Sequence, residues 1–130
     1  MKREIIKTKG APSLPLPFSQ AVRAGSFVFV SGQGPIDPDT HEVKGEIKAQ
    51  TERTLENTKA ILEAAGASLE NVVSMTVYLT DLKNFEAMNE VYIRFFPKDP
   101  PPRATVQAGL LRGMLVEMQC IAWVPEEMKE

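Results

Sequence analysis

The chain has 130 residues, enough for one ordinary domain and too few for two, so we expect a single domain over residues 1–130. Hydrophobic residues make up 43% and charged residues 25%, as in globular proteins, and a net charge of -2 without a Lys/Arg block argues against a nucleic-acid partner. The start lacks the apolar core of a signal peptide, and no apolar stretch is long enough to span a bilayer. Cys120 is the only cysteine, so an internal disulfide is excluded. We therefore expect a cytoplasmic protein.

The first half of the chain predicts a strand, a turn and a long helix. Residues 27–30 (Phe-Val-Phe-Val) form a short β-rich run, and the Pro- and Asp-containing cluster 35–41 predicts a hairpin or loop. From Ile47 onward, apolar residues and threonines recur at spacings of three and four as far as Ala65. Gly66 then stands where a glycine commonly ends a helix.

The second half predicts a strand, a helix and two further strands. Residues 72–79 are rich in β-branched side chains, and Thr80-Asp81 is a candidate helix cap. The helix that follows ends at Pro97 and carries one apolar stripe, Phe85, Met88, Tyr92, Phe95 and Phe96, that we assign to the core. Two strands, 103–108 and 115–124, flank the loop 109–113. The predicted order β-β-α-β-α-β-β indicates an α+β fold with both helices on one face of the sheet.

Two of the predicted strands are apolar on both faces. This holds for residues 27–30 and nearly so for residues 115–124, whereas a strand with one solvated face should alternate apolar and polar residues. Two helices can cover only one face of the sheet. The other face must be buried by something else, and we expect a second copy of the chain, in an obligate homo-oligomer.

Arg103 and Glu117 are the candidate site residues. Three prolines, 100–102, precede Arg103 and direct it to the start of a strand, while Glu117 stands in an otherwise apolar run. If residues 109–113 form a hairpin loop, Thr105 lies opposite Glu117, and Arg103 becomes its diagonal neighbour at roughly 7–8 Å. A guanidinium beside a partly buried carboxylate suggests a pocket for a small anionic substrate. The alternative is a cross-strand salt bridge on a solvated edge.

The motifs around these residues resemble the Rid family (RidA/YjgF, the reactive-intermediate deaminases) along nearly the whole chain. Residues 102–106 followed by 116–118 resemble its C-terminal motif, and the long helix up to residue 66 is similar to that of the family. The further matching segments are Pro-Phe-Ser-Gln-Ala at 17–21, Ser-Gly-Gln-Gly-Pro at 31–35, Val-Tyr-Leu-Thr-Asp at 77–81 and Asn-Glu-Val-Tyr at 89–92.

The resemblance implies both a fold and a reaction. The fold is chorismate-mutase-like, a mixed sheet with two helices on one face, and it assembles as a homotrimer with active sites between subunits. The reaction is the hydrolysis of short-lived enamines and imines, such as 2-aminoacrylate, to 2-oxo acids and ammonia, without a metal or an organic cofactor. The partners implied are therefore these small molecules and further copies of the chain.

The resemblance also implies residue roles. Arg103 matches the arginine that grips the substrate carboxylate, and Glu117 matches the carboxylate that holds the attacking water and moves protons. The expected substrate-binding positions are Phe18, Ser31, Gly32, Asn89 and, through its backbone amide, Thr105. Cys120 is expected to be a core residue and His41 a solvated turn residue.

Three departures from the family pattern bear on specificity. Phe18 replaces the usual tyrosine, Thr105 stands where many members have cysteine, and the loop at 109–114 is one residue shorter than is typical. Because Arg103 and Glu117 are retained, we expect an altered substrate range rather than lost activity.

Three other functions stay open at this point. The same site could serve a dedicated degradation pathway, or the chain could bind 2-oxo acids without turnover, as a sensor or a chaperone-like protein. Relatives have also been described as ribonucleases and translation inhibitors, although the acidic balance of the chain argues against RNA binding.

Overall fold

A six-stranded sheet and two α-helices make up the computed structural model, which describes residues 2–125. The strands are β1 (Glu4–Ile6), β2 (Ala21–Ala24), β3 (Phe27–Gln33), β4 (Val72–Leu79), β5 (Arg103–Gln107) and β6 (Val116–Trp123). The helices are α1 (Ile47–Ala64) and α2 (Phe85–Phe95). The α+β class is confirmed, and β1 and β2 are strands to which the sequence analysis assigned no residues.

The sheet is mixed, in the order β1-β2-β3-β6-β4-β5. Strands β4 and β5 pair in parallel, and the other neighbours are antiparallel. Parallel neighbours need a crossover connection, which α2 provides between β4 and β5. Strand β6 lies between β3 and β4, and β5 forms one edge of the sheet.

Both helices pack on the same face of the sheet, as predicted. Leu55 and Leu62 of α1 and Met88 of α2 are fully buried in one cluster with Val77 of β4 and Met118 of β6. Truncating a buried leucine of this kind to alanine typically costs about 2–5 kcal/mol of folding stability. The helix face of the sheet is therefore the hydrophobic core.

The end of α1 also agrees with the sequence prediction. The helix continues to Ala64, and Gly66 follows with φ +82°. The left-handed backbone at this position favours glycine because it has no Cβ to clash. At the predicted turn near residue 40, a single bridge joins Ile36 to Val43.

The second face of the sheet carries no helix, and we call it the open face. A row of paired apolar residues crosses four strands there: Ile5, Val22, Phe29 and Ile121. Phe29 and Trp123 remain 46% and 47% exposed on this face. The prediction that the two helices leave one apolar sheet face uncovered is confirmed.

The predicted pairing of the last two strands is wrong. Strand β4 lies between β5 and β6, so residues 108–115 do not connect neighbouring strands as a hairpin. Thr105 pairs with Val77, whereas Glu117 pairs with Tyr78. A short connection that contains two glycines resembles a hairpin loop in the sequence, but the β4–α2–β5 crossover already places β5 beside β4.

Candidate active site

Arg103 is the first residue of β5, where the three prolines were expected to deliver it. The carbonyl of Pro102 accepts a hydrogen bond of 3.1 Å from the backbone N–H of Met75, which begins the contact between β4 and this segment. Arg103 pairs with Met75, a buried residue of the core. Paired residues share a face of the sheet, so the Arg103 side chain lies on the helix face.

The Arg103 side chain lies against α2, and we call the four residues in contact there the arginine cluster. Its Cζ atom lies 4.7 Å from the ring centroid of Tyr92 and 5.5 Å from that of Phe85. Its Nη1 atom lies 4.0 Å from the sulfur of Met88. These contacts come from positions spaced by three and four along one helix face. The guanidinium of Arg103 is therefore packed against two aromatic rings and one thioether sulfur.

The pKa of Tyr92 reflects this environment. Burial raises it to about 12, although the nearby Arg103 guanidinium opposes the shift. The phenol is therefore neutral at physiological pH, and its ring faces a cation without carrying a charge of its own.

Two other predicted site residues lie near the arginine cluster. Asn89 is on α2, four residues after Phe85 and three before Tyr92, a spacing that places it on the same side of the helix. Thr105 is two residues after Arg103 on β5 and so shares its sheet face. Because β5 is an edge strand, its outer backbone groups face away from the sheet and can bind a ligand or another chain.

Glu117 lies on the open face, within a second group that we call the carboxylate cluster: Glu117, Gly32 and Ser31. A Cβ atom added to Gly32 would collide with the Glu117 carboxylate, so the two residues are in direct contact. The side chain is half-buried, and burial raises the pKa of the carboxyl group above its ordinary value. A carboxyl group with a raised pKa is suited to exchange protons nearer neutral pH.

Ser31 of this cluster and the nearby Phe18 line an open cleft of about 910 Å³. Gly32 and the cations Arg3 and Lys7 also line the cleft. The Ser31 hydroxyl donates a hydrogen bond to the carbonyl of Ser19, and Phe18 is 57% exposed. The Pro-rich segment before Phe18 forms one wall of the cleft.

The buried side chain of Gln20 forms the hydrogen bonds that fix this wall in place. Its amide nitrogen donates to the carbonyls of Thr8, Ala11 and Pro12, and its oxygen accepts from the N–H of Thr8. Four hydrogen bonds from one side chain hold the segment before the cleft against β2. The sequence analysis did not assign this role, although Gln20 lies in the Pro-Phe-Ser-Gln-Ala motif.

The two clusters do not meet within one chain. Arg103, Met75 and Cys120 share the helix face, whereas Glu117 and Tyr78 share the open face. The expected diagonal contact between Arg103 and Glu117 is therefore wrong, because β4 separates their strands and their side chains point to opposite faces. Arg103 thus groups with Asn89 and Thr105, and Glu117 with Ser31, Gly32 and Phe18.

Other residues have the expected surroundings. Cys120 is buried on the face opposite Glu117, and burial raises the pKa of its thiol to about 12. His41 is exposed in the turn, with φ 63°. Within residues 2–125, no group of three His, Cys, Asp or Glu side chains could hold a metal ion, and neither helix could cross a membrane.

The role of α2 beside Arg103 was missed. Phe85, Met88 and Tyr92 were assigned to the core; Met88 and Tyr92 are indeed buried, but the assignment is wrong for Phe85, which is 41% exposed. The same stripe also contacts Arg103, which is eleven or more residues further along the chain. A periodic apolar pattern identifies the buried side of a helix, but it does not identify the cation that packs against it.

Comparisons with known proteins agree with this architecture. The family model described as Endoribonuclease L-PSP matches residues 8–124. A RutC family protein of Pyrococcus abyssi is 53% identical over 125 residues, which cover 95% of this chain and 98% of the relative. The chloroplastic Reactive Intermediate Deaminase A of Arabidopsis thaliana is 40% identical over 124 residues, 94% of this chain and 66% of the relative.

A solved structure is also similar to this chain over nearly its whole length. The crystal structure of Escherichia coli TdcF with bound serine has a TM-score of 0.91 and 40% sequence identity to this chain. The match covers 94% of this chain and 99% of that one. The similarity therefore extends over nearly the whole fold, including both clusters.

Proposed function

Because the chain belongs to the Rid family and has the RidA/YjgF fold, we propose that it is a cytoplasmic, cofactor-independent imine deaminase. Its substrates would be 2-aminoacrylate and similar 2-imino acids, and its products 2-oxo acids and ammonia. One observation carries the proposal: at the positions that match the family's motifs, the chain presents a guanidinium that forms no salt bridge with an Asp or Glu of residues 2–125, and a half-buried carboxyl group with a raised pKa. Relatives named reactive intermediate deaminases support the same reaction.

The active site is proposed to form between two subunits. Arg103 and Glu117 face opposite sides of the sheet, so a single chain cannot apply both to one small substrate. The arginine cluster lies at the β5 edge of the sheet, and the carboxylate cluster lies on the open face of β3 and β6. A second copy that brings its β5 edge against the open face would complete the site.

The same packing would bury the apolar open face. The row from Ile5 to Ile121, with Trp123 beside it, is a contiguous apolar surface of the kind that marks a protein interface. An arrangement in which a β5 edge meets a different surface on the next copy is heterologous, and heterologous contacts form a closed ring when the rotation between copies closes. We therefore favour the homotrimer that the family resemblance implies, with three equivalent sites.

The proposed reaction needs only proton transfers and one water molecule. The enamine 2-aminoacrylate gains a proton at C3 and loses one from nitrogen, which gives 2-iminopropanoate. Water then adds to C2, the nitrogen is protonated, and the C–N bond breaks with its electron pair leaving on ammonia. The remaining hydroxyl loses its proton, and pyruvate is formed. Glu117 would take the proton from the attacking water and return it to nitrogen, as a general base and then acid.

The other residues would bind the substrate. Arg103 would hold the carboxylate in a bidentate contact, which a planar guanidinium favours. On the same subunit, Asn89 and the Thr105 backbone would line the pocket. On the next subunit, Phe18, Ser31 and Gly32 would close the opposite side. Phe18 would supply apolar surface where a tyrosine would supply a hydroxyl.

The test is the decay of 2-aminoacrylate, generated in situ by a serine dehydratase, with wild-type protein and with Arg103→Ala. We expect acceleration by the wild type and none by the variant, whose oligomer size should be unchanged. Full activity in Arg103→Ala would contradict the role of the guanidinium. If the wild-type protein binds pyruvate saturably but accelerates no imine, it is a 2-oxo-acid-binding protein instead.

A further inference from the structure

We propose that Phe85 and Tyr92 are positioning residues that orient the Arg103 guanidinium through its face and leave its N–H groups, apart from the one that faces Met88, for an anionic ligand. This inference rests on the proposed function insofar as the ligand is the substrate carboxylate. One face of α2 would then have a specific task beyond covering the core.

The geometry is that of a cation held over aromatic rings. The Arg103 Cζ atom lies over both rings, at 4.7 Å for Tyr92 and 5.5 Å for Phe85, within the distance of about 6 Å at which cation–π attraction is significant. Met88 contacts Nη1 from the turn between them. Phe85, Met88 and Tyr92 form one stripe of α2 that contacts the guanidinium. We call this surface of the helix the platform.

The charge of Arg103 is left uncompensated by this platform. Within residues 2–125, no Asp or Glu forms a salt bridge with Arg103. Two arginines on the helices differ in this respect, because Arg94 has Glu52 at 4.0 Å and Arg53 has Glu56 at 3.4 Å. A carboxylate partner would compete with the ligand for the guanidinium N–H groups, whereas a ring face does not occupy them.

The ring of Tyr92, rather than its hydroxyl, performs the positioning. Tyr92 is 5% exposed, and within the described part of the chain its hydroxyl makes no hydrogen bond of ordinary geometry, although the Arg103 guanidinium is near enough to oppose the rise in the pKa of Tyr92 that burial causes. The ring face is therefore the contact with Arg103 that the geometry defines. Phenylalanine at residue 92 should keep the platform, while leucine should keep much of the core volume but remove the π face.

The first test is pyruvate binding measured by calorimetry, because pyruvate is the product that 2-aminoacrylate would give. We expect Tyr92→Leu and Phe85→Leu each to weaken binding roughly tenfold, the scale of one lost cation–π contact at a partly desolvated site. Tyr92→Phe should restore most of the affinity that Tyr92→Leu loses. Phe95→Leu is the matched control, since Phe95 packs against the core from the same helix without contacting Arg103.

The second test does not depend on the function. In the NMR spectrum, the side-chain protons of Arg103 should be shifted upfield by the two rings, and the shift should shrink in Tyr92→Leu but not in Phe95→Leu. If the wild type shows these shifts yet neither binds pyruvate nor hydrolyses imines, the proposed function is wrong, but the positioning of Arg103 by the two rings is supported.

Three results would overturn the inference. The first is unshifted Arg103 protons in the wild type. The second is pyruvate binding by both leucine variants that equals wild type, or a loss that Phe95→Leu reproduces. The third is a loss in Tyr92→Phe as large as in Tyr92→Leu, which would give the role to the hydroxyl.

Discussion

Gly32 and Glu117 share a space at the open face that admits no additional carbon atom. A Cβ on residue 32 would meet the carboxylate of Glu117. We expect Gly32→Ala to turn the carboxylate away and to lower kcat/KM for imine hydrolysis roughly a hundredfold, the cost of displacing a catalytic group by about 1 Å. Steady-state kinetics with 2-aminoacrylate measures this effect.

Gly109 provides the matched control for that substitution. A Cβ at Gly109 would have no atom within 4 Å, and its backbone does not have a positive φ. Gly109→Ala should therefore leave both the kinetics and the thermal unfolding midpoint unchanged. Equal activity in the two variants would show that the Glu117 position does not matter.

The raised pKa of Glu117 predicts a pH dependence of stability. Because burial raises the pKa, the folded state holds this proton more tightly than the unfolded chain, and the charged form is penalised at neutral pH. The penalty disappears as the pH falls below the ordinary carboxyl pKa of about 4.3. We expect Glu117→Gln to unfold at a higher temperature than wild type at pH 7, and the difference to shrink towards pH 4.

Lowering the pH should reduce the activity, whereas it removes the stability penalty of the charged carboxylate. If Glu117 acts as the base, kcat/KM falls as the pH decreases through its raised pKa, and Glu117→Gln removes most of the turnover, about 10²- to 10⁴-fold. A Glu117→Gln variant with wild-type kinetics, or one whose stability gain is the same at every pH, would show that the carboxyl group has neither role.

At the scale of elements, Gln20 joins the N-terminal segment to β2. Its amide makes four hydrogen bonds with residues 8–12, next to the Pro-rich wall of the cleft. Gln20→Ala leaves one buried and two partly buried backbone carbonyls and one partly buried N–H without this partner, at a cost of up to about 1–3 kcal/mol for the buried one. We expect faster hydrogen exchange across residues 8–19 and a higher KM, because Phe18 loses its support.

The rest of the sheet should not respond to this change. Hydrogen exchange in β4 and β6, which form the centre of the sheet, serves as the internal control for Gln20→Ala. Unchanged exchange in the N-terminal segment would mean that the prolines alone fix it.

The helices were largely predictable from the sequence, because helical contacts join residues only three or four positions apart. The spacing of apolar residues located α1, and Gly66 located its end, since both features depend on neighbours three or four residues away. Strand pairing is not local. Nothing in residues 103–124 alone indicates that β4 inserts between β5 and β6, and the missing information lay in the strand–helix–strand order that produces a parallel pair.

The residues of the candidate site stay a prediction, and the contact predicted between two of them was wrong. The motifs identified Arg103 and Glu117, and strand alternation assigned the faces within each strand correctly. Alternation does not relate the faces of two strands whose pairing is unknown, so the two side chains were wrongly placed together. The platform under Arg103 could not be found this way, because the contact between Tyr92 and Arg103 depends on tertiary packing.

At the scale of the whole molecule, the open face should control assembly. Phe29 stands in the middle of the apolar row, and a charge there would be buried without a partner in any interface that covers it. We expect Phe29→Glu to convert the oligomer to monomers in analytical ultracentrifugation. Ile93→Glu is the matched control, since Ile93 is 56% exposed on α2. A Phe29→Glu protein that still assembles would contradict the proposed interface.

The most direct measurement mixes two inactive variants, Arg103→Ala and Glu117→Gln, by co-expression or by joint refolding. If each site takes Arg103 from one subunit and Glu117 from the next, hybrid oligomers contain some sites with both residues intact. Random mixing of equal amounts should then restore about one quarter of wild-type imine hydrolysis. Hybrid oligomers that assemble but stay as inactive as their parents would contradict a site shared between subunits.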